Sequence, residues 1–379
     1  MKQLFFLLMT LLMLLSPALA EETMTLFAVN VGKADALLLH YADALYLIDA
    51  GTAQSWGQLS RALETLGVSH LDGVILTHTD KDHAGGLMAL ATSPVEIDAW
   101  YAPCYYEGKE SKHPAVLAAE VRRQEVTWLA AGDTLPFGDG SLQVLAPLEA
   151  SQEENDNSLV LLAESPAGNM LLMGDALETA ELRLMETYRL PKVNVLKVGH
   201  HGGSDATSDL LIAAVQPQCA VISTSTAERA STPADSVLRL LLRVGAEIAV
   251  TQQAQAGILV TLTDGKAEMQ LSSWPDAPAM VQGLQLSDLD KENETLLLTN
   301  TGSQTIDLTG CYLSSTQGNE IFVLPAGTLI APGQALTIIT LTTDDKGDIL
   351  WPEKKVWSND KPDAAVLCDV FGRLLATTD

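Results

Sequence analysis

Six consecutive residues, His78-Thr79-Asp80-Lys81-Asp82-His83, carry two imidazoles and two carboxylates, side chains that bind divalent cations. One backbone cannot aim four such close neighbours at a single ion. Two ions relieve the constraint: His78 and Asp80 serve one, Asp82 and His83 the other. Gly85 and Gly86 then let the chain turn away closely. Two later segments supply more of the same chemistry. Leu171-Leu172-Met173-Gly174-Asp175 is an apolar run ending in an acid whose two oxygens suit a bridge between cations. Val195-Leu196-Lys197-Val198-Gly199-His200-His201-Gly202-Gly203-Ser204 leads an apolar run into a histidine pair. Adjacent side chains on an extended chain point oppositely, so one histidine binds metal and the other faces substrate or lies outside the metal's reach. His200 is assigned to the metal and His201 to the substrate, with the exchange left open. Asp35 and Asp49 are read as loop-fixing or supporting carboxylates. Ser208 is expected to cap a helix, and Ser204 and Thr207 are candidate anion contacts.

Each segment needs a strand end to present it. Strand-like runs are expected at residues 25–29, 36–40, 44–48, 73–77, 142–145, 158–163, 170–173, 193–198 and 220–223, and helical spacing at 59–66, 178–188, 209–215 and 235–244. This alternation over residues 23–274 predicts an α/β domain of two sheets with outer helices. A linker is read at 275–279, after which short strand-like runs separated by Gly, Asn, Pro and Asp predict an all-β sandwich over 280–379. There Cys311 and Cys368 form a candidate disulfide pair.

Residues 1–20 combine Lys2, the apolar run 4–15, and small residues at Ala18 and Ala20, the pattern of a cleaved export signal. The run falls short of the roughly 20 residues of a membrane span. A secreted protein beginning near Glu21, without a transmembrane channel, is expected. The net charge of −26 and the absence of basic clusters longer than Arg122-Arg123 and Lys354-Lys355 exclude a dedicated electrostatic nucleic-acid binder. Any phosphate substrate must therefore be held by metal.

The metal-loop residues with Asp175 and His200 resemble the metallo-β-lactamase superfamily. Val31-Gly32-Lys33-Ala34-Asp35-Ala36, Leu47-Ile48-Asp49-Ala50-Gly51, Asn155-Asp156-Asn157-Ser158-Leu159-Val160-Leu161 and His200-His201-Gly202 more closely resemble the hydrolase domain of ComEC-type competence proteins, over roughly residues 24–272. Residues 280–379 are similar to a lamin-tail domain, through Thr295-Leu296-Leu297-Leu298-Thr299-Asn300-Thr301-Gly302, Asp307-Leu308-Thr309-Gly310-Cys311-Tyr312-Leu313, Leu329-Ile330-Ala331-Pro332-Gly333 and the stretch 363–372. The resemblance implies an αββα sandwich with an immunoglobulin-like C-terminal domain. Asp80 stands where the general superfamily motif has a histidine, and Asn155 to Asn157 stand near another. Both departures belong to the ComEC-like branch, and the added oxygen shifts preference from zinc toward manganese or magnesium.

The implied chemistry is phosphodiester hydrolysis at two divalent metal ions, zinc or manganese. Such a pair lowers the pKa of a bound water and clamps the attacking and leaving oxygens. Here His78, Asp80, Asp82, His83, Asp175 and His200 are the ligands, and His201 or Asn157 contacts the phosphate. DNA is the implied substrate. Two alternatives stand beside it: a cell-envelope phosphoester hydrolase with the same metals, and an adhesive or scaffolding protein whose metal loop is structural. The C-terminal domain is expected to contact a surface or to support the fold.

Overall fold

The structure, a computed structural model, describes residues 23–106, 108–274, 281–317, 320–341, 347–369 and 374–378. The expected export segment and the linker at 275–279 lie outside the described residues.

Alternation along the strands builds the hydrolase-like domain. In Thr23–Val29, Met24, Leu26 and Ala28 face one core while Phe27 and Val29 face another. In Gly168–Leu172, Met170 and Leu172 point inward, whereas Leu171 points to a third core. Period-two alternation thus gives each sheet two apolar faces, and the shared inner core holds two sheets together. The first has eight strands, in the order Lys266–Ser272, Gly257–Thr263, Thr23–Val29, Leu37–Tyr41, Ala44–Ile48, Gly73–Ile75, Trp100–Pro103 and Val126–Leu129. The second has seven, in the order Glu247–Val250, Cys219–Ile222, Val195–Lys197, Gly168–Leu172, Val160–Ser165, Gly140–Ala146 and Thr134–Phe137.

Helices close the outer faces. Trp56–Thr65 buries Leu59, Ala62 and Leu63, the spacing of a one-sided helix, against the first sheet. Asp209–Val215 buries Leu211, Ile212 and Val215 against the second. The result is the expected αββα sandwich. The hairpin of Gly257–Thr263 and Lys266–Ser272 and the helix Pro114–Val121 were not singled out in the sequence.

Sheet register brings the chemical segments together. Ala44–Ile48 runs parallel to Gly73–Ile75, with Ile48 opposite Ile75, so Asp49 and the loop starting at Leu76 leave the same sheet edge side by side. Gly168–Leu172 runs parallel to Val195–Lys197, with Leu172 opposite Lys197, which sets Asp175 beside the histidine pair.

The C-terminal domain is a β-sandwich. One sheet orders Leu284–Asp290, Thr295–Asn300, Ala335–Thr340 and Ile349–Trp351; the other orders Ile321–Val323, Tyr312–Ser315, Ala365–Cys368 and Leu374–Thr377. Leu296, Leu298, Leu313, Ile338 and Leu367 fill the space between them. Tyr312 and Cys368, paired across the ladder, instead face the hydrolase domain. The Tyr312 hydroxyl accepts from the Gly57 N–H at 3.2 Å and donates to the Gln54 carbonyl at 2.8 Å. The cysteine pairing expected from the sequence is corrected by this alternation. Cys311 points into the sandwich core and Cys368 to the opposite face, and neither is in a disulfide.

Candidate metal centre

Three imidazoles, each held by its Nδ1, offer their Nε2 atoms to one place. Asp49 accepts from the Thr77 N–H and hydroxyl at 2.8 Å each, and takes His83 Nδ1–H at 2.7 Å. Having donated to Asp49, the Thr77 hydroxyl is left to accept from His78 Nδ1, 3.2 Å away. His201 Nδ1 donates to the Ser223 carbonyl at 2.9 Å. Each acceptor fixes the tautomer that leaves a lone pair on Nε2, the arrangement typical of metal-binding histidines.

The carboxylates meet these nitrogens. Asp175 Oδ2 lies 3.2 Å from both His83 Nε2 and His201 Nε2, and 4.0 Å from His78 Nε2. Asp82 Oδ2 stands 3.3 Å from His201 Nε2, and Asp80 Oδ2 3.8 Å from His78 Nε2. Asp35, His83, Asp175 and His201 each present one ligand atom, and those four atoms lie within 4.8 Å of one another. Asp35 thus comes closer to the centre than the supporting role read from the sequence. Its Oδ2 is bound by the buried Lys197 ammonium at 2.8 Å.

These residues fit a cation. His78 Nε2, Asp175 Oδ1 and Asp35 Oδ1 are buried without a hydrogen-bond partner among the described residues, a costly state for polar atoms unless something binds them. His83 Nε2 and His201 Nε2 face each other at 3.3 Å. That is the separation of two ligands about 2.0–2.1 Å from a shared tetrahedral ion, roughly 3.3 Å.

Charge is balanced tightly. Burial opposes the charged form of His83, but the Asp175 and Asp49 carboxylates outweigh it and raise its pKa; His201 is raised against burial by Asp175 and Asp82. Burial pushes Asp175 and Asp82 up, yet the imidazoles lower both, with Lys33 assisting at Asp82. Lys33 Nζ contacts Asp82 Oδ2 at 2.5 Å.

Three expectations are corrected. His200 does not join the centre: its ring turns outward and its Nδ1 bonds Asp205 Oδ1 at 2.8 Å, so the position assigned to it falls to His201. The two rings diverge because both residues adopt left-handed backbone, φ 43° and 55°, and not because the chain is extended. Asn157 is not free to contact phosphate. Its side-chain oxygen accepts from the Ser151 N–H at 2.8 Å and its amide donates to the Ser151 carbonyl at 2.9 Å, which pins the 151–157 loop. Nor is the helix start near Ser208 an anion site, because the Glu181 carboxylate already accepts the N–H groups of Thr207 and Ser208. Ser208 does cap that helix, accepting from the Leu211 N–H at 3.2 Å. Gly85 and Gly86 serve close approach and not a left-handed turn, since a Cβ at Gly86 would run into the Ala50 carbonyl.

Other supports carried weaker signals in the sequence. Glu154 accepts from the Thr79 N–H at 3.1 Å and also meets its hydroxyl. Ser158 Oγ accepts from the Asp175 N–H at 3.1 Å. Lys197, a charge inside an apolar strand, was the visible clue to the buried ion pair with Asp35.

The sequence profile of the Metallo-beta-lactamase superfamily matches residues 29–226, more than half the chain. The chain belongs to the metallo-beta-lactamase superfamily. The Lamin Tail Domain profile matches residues 278–379. ComE operon protein 3 of Bacillus subtilis is 32% identical over 193 residues, covering 50% of this chain and 25% of the relative. Recombination protein 2 of Haemophilus influenzae is 27% identical over 281 residues, covering 72% of this chain and 33% of the relative. The chain therefore spans a quarter to a third of the length of these ComEC-type relatives. The metallo-beta-lactamase fold protein YhfI of Bacillus subtilis matches at 12% identity and a TM-score of 0.41, covering 63% of this chain and 99% of its own. Family and geometry together make this a hydrolase-superfamily member with a candidate His/Asp metal site.

Proposed function

We propose that the protein is a secreted phosphodiesterase acting on DNA, with two divalent ions, manganese or zinc, held by His78, Asp80, Asp82, His83, Asp175 and His201, and Asp35 at their margin. The observation that carries this reading is the convergence of the His83 and His201 nitrogens on Asp175, with His78 Nε2, Asp175 Oδ1 and Asp35 Oδ1 buried beside them without a hydrogen-bond partner among the described residues. When bound, such ions activate water and stabilise charge on the phosphoryl oxygens.

The chain's own residues do the positioning. Asp49 and the Ser223 carbonyl orient His83 and His201. Lys197 holds Asp35, and Lys33 at the rim supplies a positive charge where an anionic diester arrives. Asn157 and Glu154 hold the 151–157 loop against the metal loop. Relatives named for competence and recombination support DNA as the substrate. The net charge of −26 favours one further reading, a small envelope phosphoester, because an acidic surface repels long polyanions. Export rests on the signal-like pattern of residues 1–20, and among the described residues no helix is long and apolar enough to cross a membrane.

The test is hydrolysis of single-stranded DNA and of bis(p-nitrophenyl) phosphate, with and without manganese, by the protein and by Asp175→Asn. Metal-dependent cutting of both that falls more than about 100-fold in the variant is expected. Turnover of the small ester alone favours the envelope reading, and metal binding without turnover of either removes the phosphodiesterase.

A further inference from the structure

Beside Lys33 opens a cavity of about 480 Å³, within the range of small-ligand sites. Its walls continue the segments that build the metal centre. Gly32, on its lining, precedes Lys33, whose ammonium meets Asp82. Ser225 lies two residues beyond Ser223, the acceptor of His201. Thr52 and Ser55 follow Asp49 on the same loop. The cavity and the centre therefore share three loops, those carrying Gly32 and Lys33, Asp49 and Thr52, and Ser223 and Ser225.

The lining is unlike the centre. Asn30, Gln54, Gln58, Gln252 and Gln255 line it with amides, of which Asn30 is spent on the Ala254 carbonyl at 2.8 Å and Gln54 on the Ser315 carbonyl at 2.9 Å; Ser225 adds a hydroxyl, and Glu228 is the one charge among the lining residues. Among the described residues no lysine, arginine or aromatic ring lines it. A second phosphate finds no cation there and meets a carboxylate. A quaternary ammonium group finds no aromatic face. Several polar groups are uncommitted. Among the described residues Gln58 Oε1 is buried without a partner, and Gln252 spends its oxygen on Thr226 at 2.8 and 3.1 Å while its amide N–H groups face no protein acceptor. Side-chain amides pair a donor with an acceptor, the complement of a nucleobase edge.

We infer that this amide-lined pocket receives the nucleoside arm of the diester whose phosphate sits at the metal centre, and so sets substrate choice. The inference rests on the phosphodiesterase reading for the placement of that phosphate.

Two measurements on Gln58→Leu/Gln255→Leu test it. The first is the ratio of kcat/KM for thymidine 5′-(p-nitrophenyl) phosphate over bis(p-nitrophenyl) phosphate, expected to fall about tenfold, the worth of one to two lost hydrogen bonds. An unchanged ratio overturns the pocket's role. The second is calorimetric titration of the manganese-loaded protein with thymidine 5′-monophosphate and, in parallel, phosphocholine. Tighter binding of the nucleotide, weakened about tenfold in the double variant, supports the inference. Equal nucleotide affinity in both proteins, no nucleotide binding, or tighter phosphocholine binding overturns it. If neither ester is hydrolysed, the phosphodiesterase reading fails while the titration still decides the pocket.

Discussion

Asp175 in the hydrolase domain and Asp363 in the C-terminal sandwich are both buried carboxylates, and they are spent in opposite ways. Asp363 Oδ1 accepts from the Ser315 hydroxyl at 2.9 Å, the Thr316 N–H at 3.1 Å, the Thr316 hydroxyl at 3.2 Å and the Gln317 N–H at 3.2 Å, while its Oδ2 takes the Ser358 N–H at 2.7 Å. Every oxygen is used to fold a loop. Asp175 Oδ1 has no partner among the described residues, and its Oδ2 faces imidazole nitrogens whose own lone pairs point at it. A buried acid satisfied by backbone donors builds structure. One surrounded by further acceptors is stable only with a cation or protons among them, which makes it a site.

The largest effect expected from this contrast separates the two neighbouring histidines. His201→Ala removes a nitrogen aimed at the centre and should lower phosphodiester hydrolysis more than about 100-fold. His200→Ala removes a largely buried ring already engaged by the exposed Asp205 and should lower it less than about tenfold. Steady-state rates with manganese check both, and equal losses would return His200 to the ligand set.

Much of this was legible in the chain, for a physical reason. Apolar alternation and strand-end acids report which segments are strands and where polar groups are forced to sit, so two sheets with outer helices and the C-terminal sandwich could be read from residue order, while the αββα arrangement followed from the family resemblance. What failed to show was direction. The choice between His200 and His201 depends on two left-handed φ angles, and the sequence pattern alone does not encode them. Asn157 read as a phosphate contact because an amide beside an acidic loop serves either role; only the position of Ser151 shows it consumed. The helix Pro114–Val121 escaped because its alanines pack with little one-sided contrast to mark a period.

The second effect lies in the sandwich. Asp363→Ala strands the donors of Ser315, Thr316, Gln317 and Ser358, and should cost that domain about 2–4 kcal/mol. The loop it folds reaches the hydrolase domain: Gln54 Nε2 donates to the Ser315 carbonyl at 2.9 Å, and Lys81 Nζ to the Gln317 carbonyl at 2.5 Å. Neither bond touches a ligand atom, so kcat/KM per folded molecule should stay within about twofold. Calorimetry and kinetics on the same sample decide the point. A catalytic loss as large as that of His201→Ala would make the tail part of the centre.

The smallest effect tests the same logic on an imidazole that, among the described residues, pairs with no carboxylate. His113 is buried between Tyr106 and Trp128, whose rings lie 4.7 and 5.0 Å away at near-right angles. Its Nδ1 accepts from the Ala115 N–H at 3.3 Å and caps a helix. Burial alone lowers its pKa to about 4, the reverse of His83 and His201. Unfolded, the ring takes a proton at the ordinary value near 6.5. Below that pH the unfolded chain binds more protons than the folded one, so this contribution to stability is complete above about 6.5 and declines as pH falls toward 4. The loss at pH 5 should be on the order of 1–2 kcal/mol. His113→Asn keeps a cap acceptor and cannot titrate, so its thermal stability between pH 6.5 and 5 should fall less than the parent's by that amount. Parallel curves would mean that the aromatic cage does not hold the ring neutral.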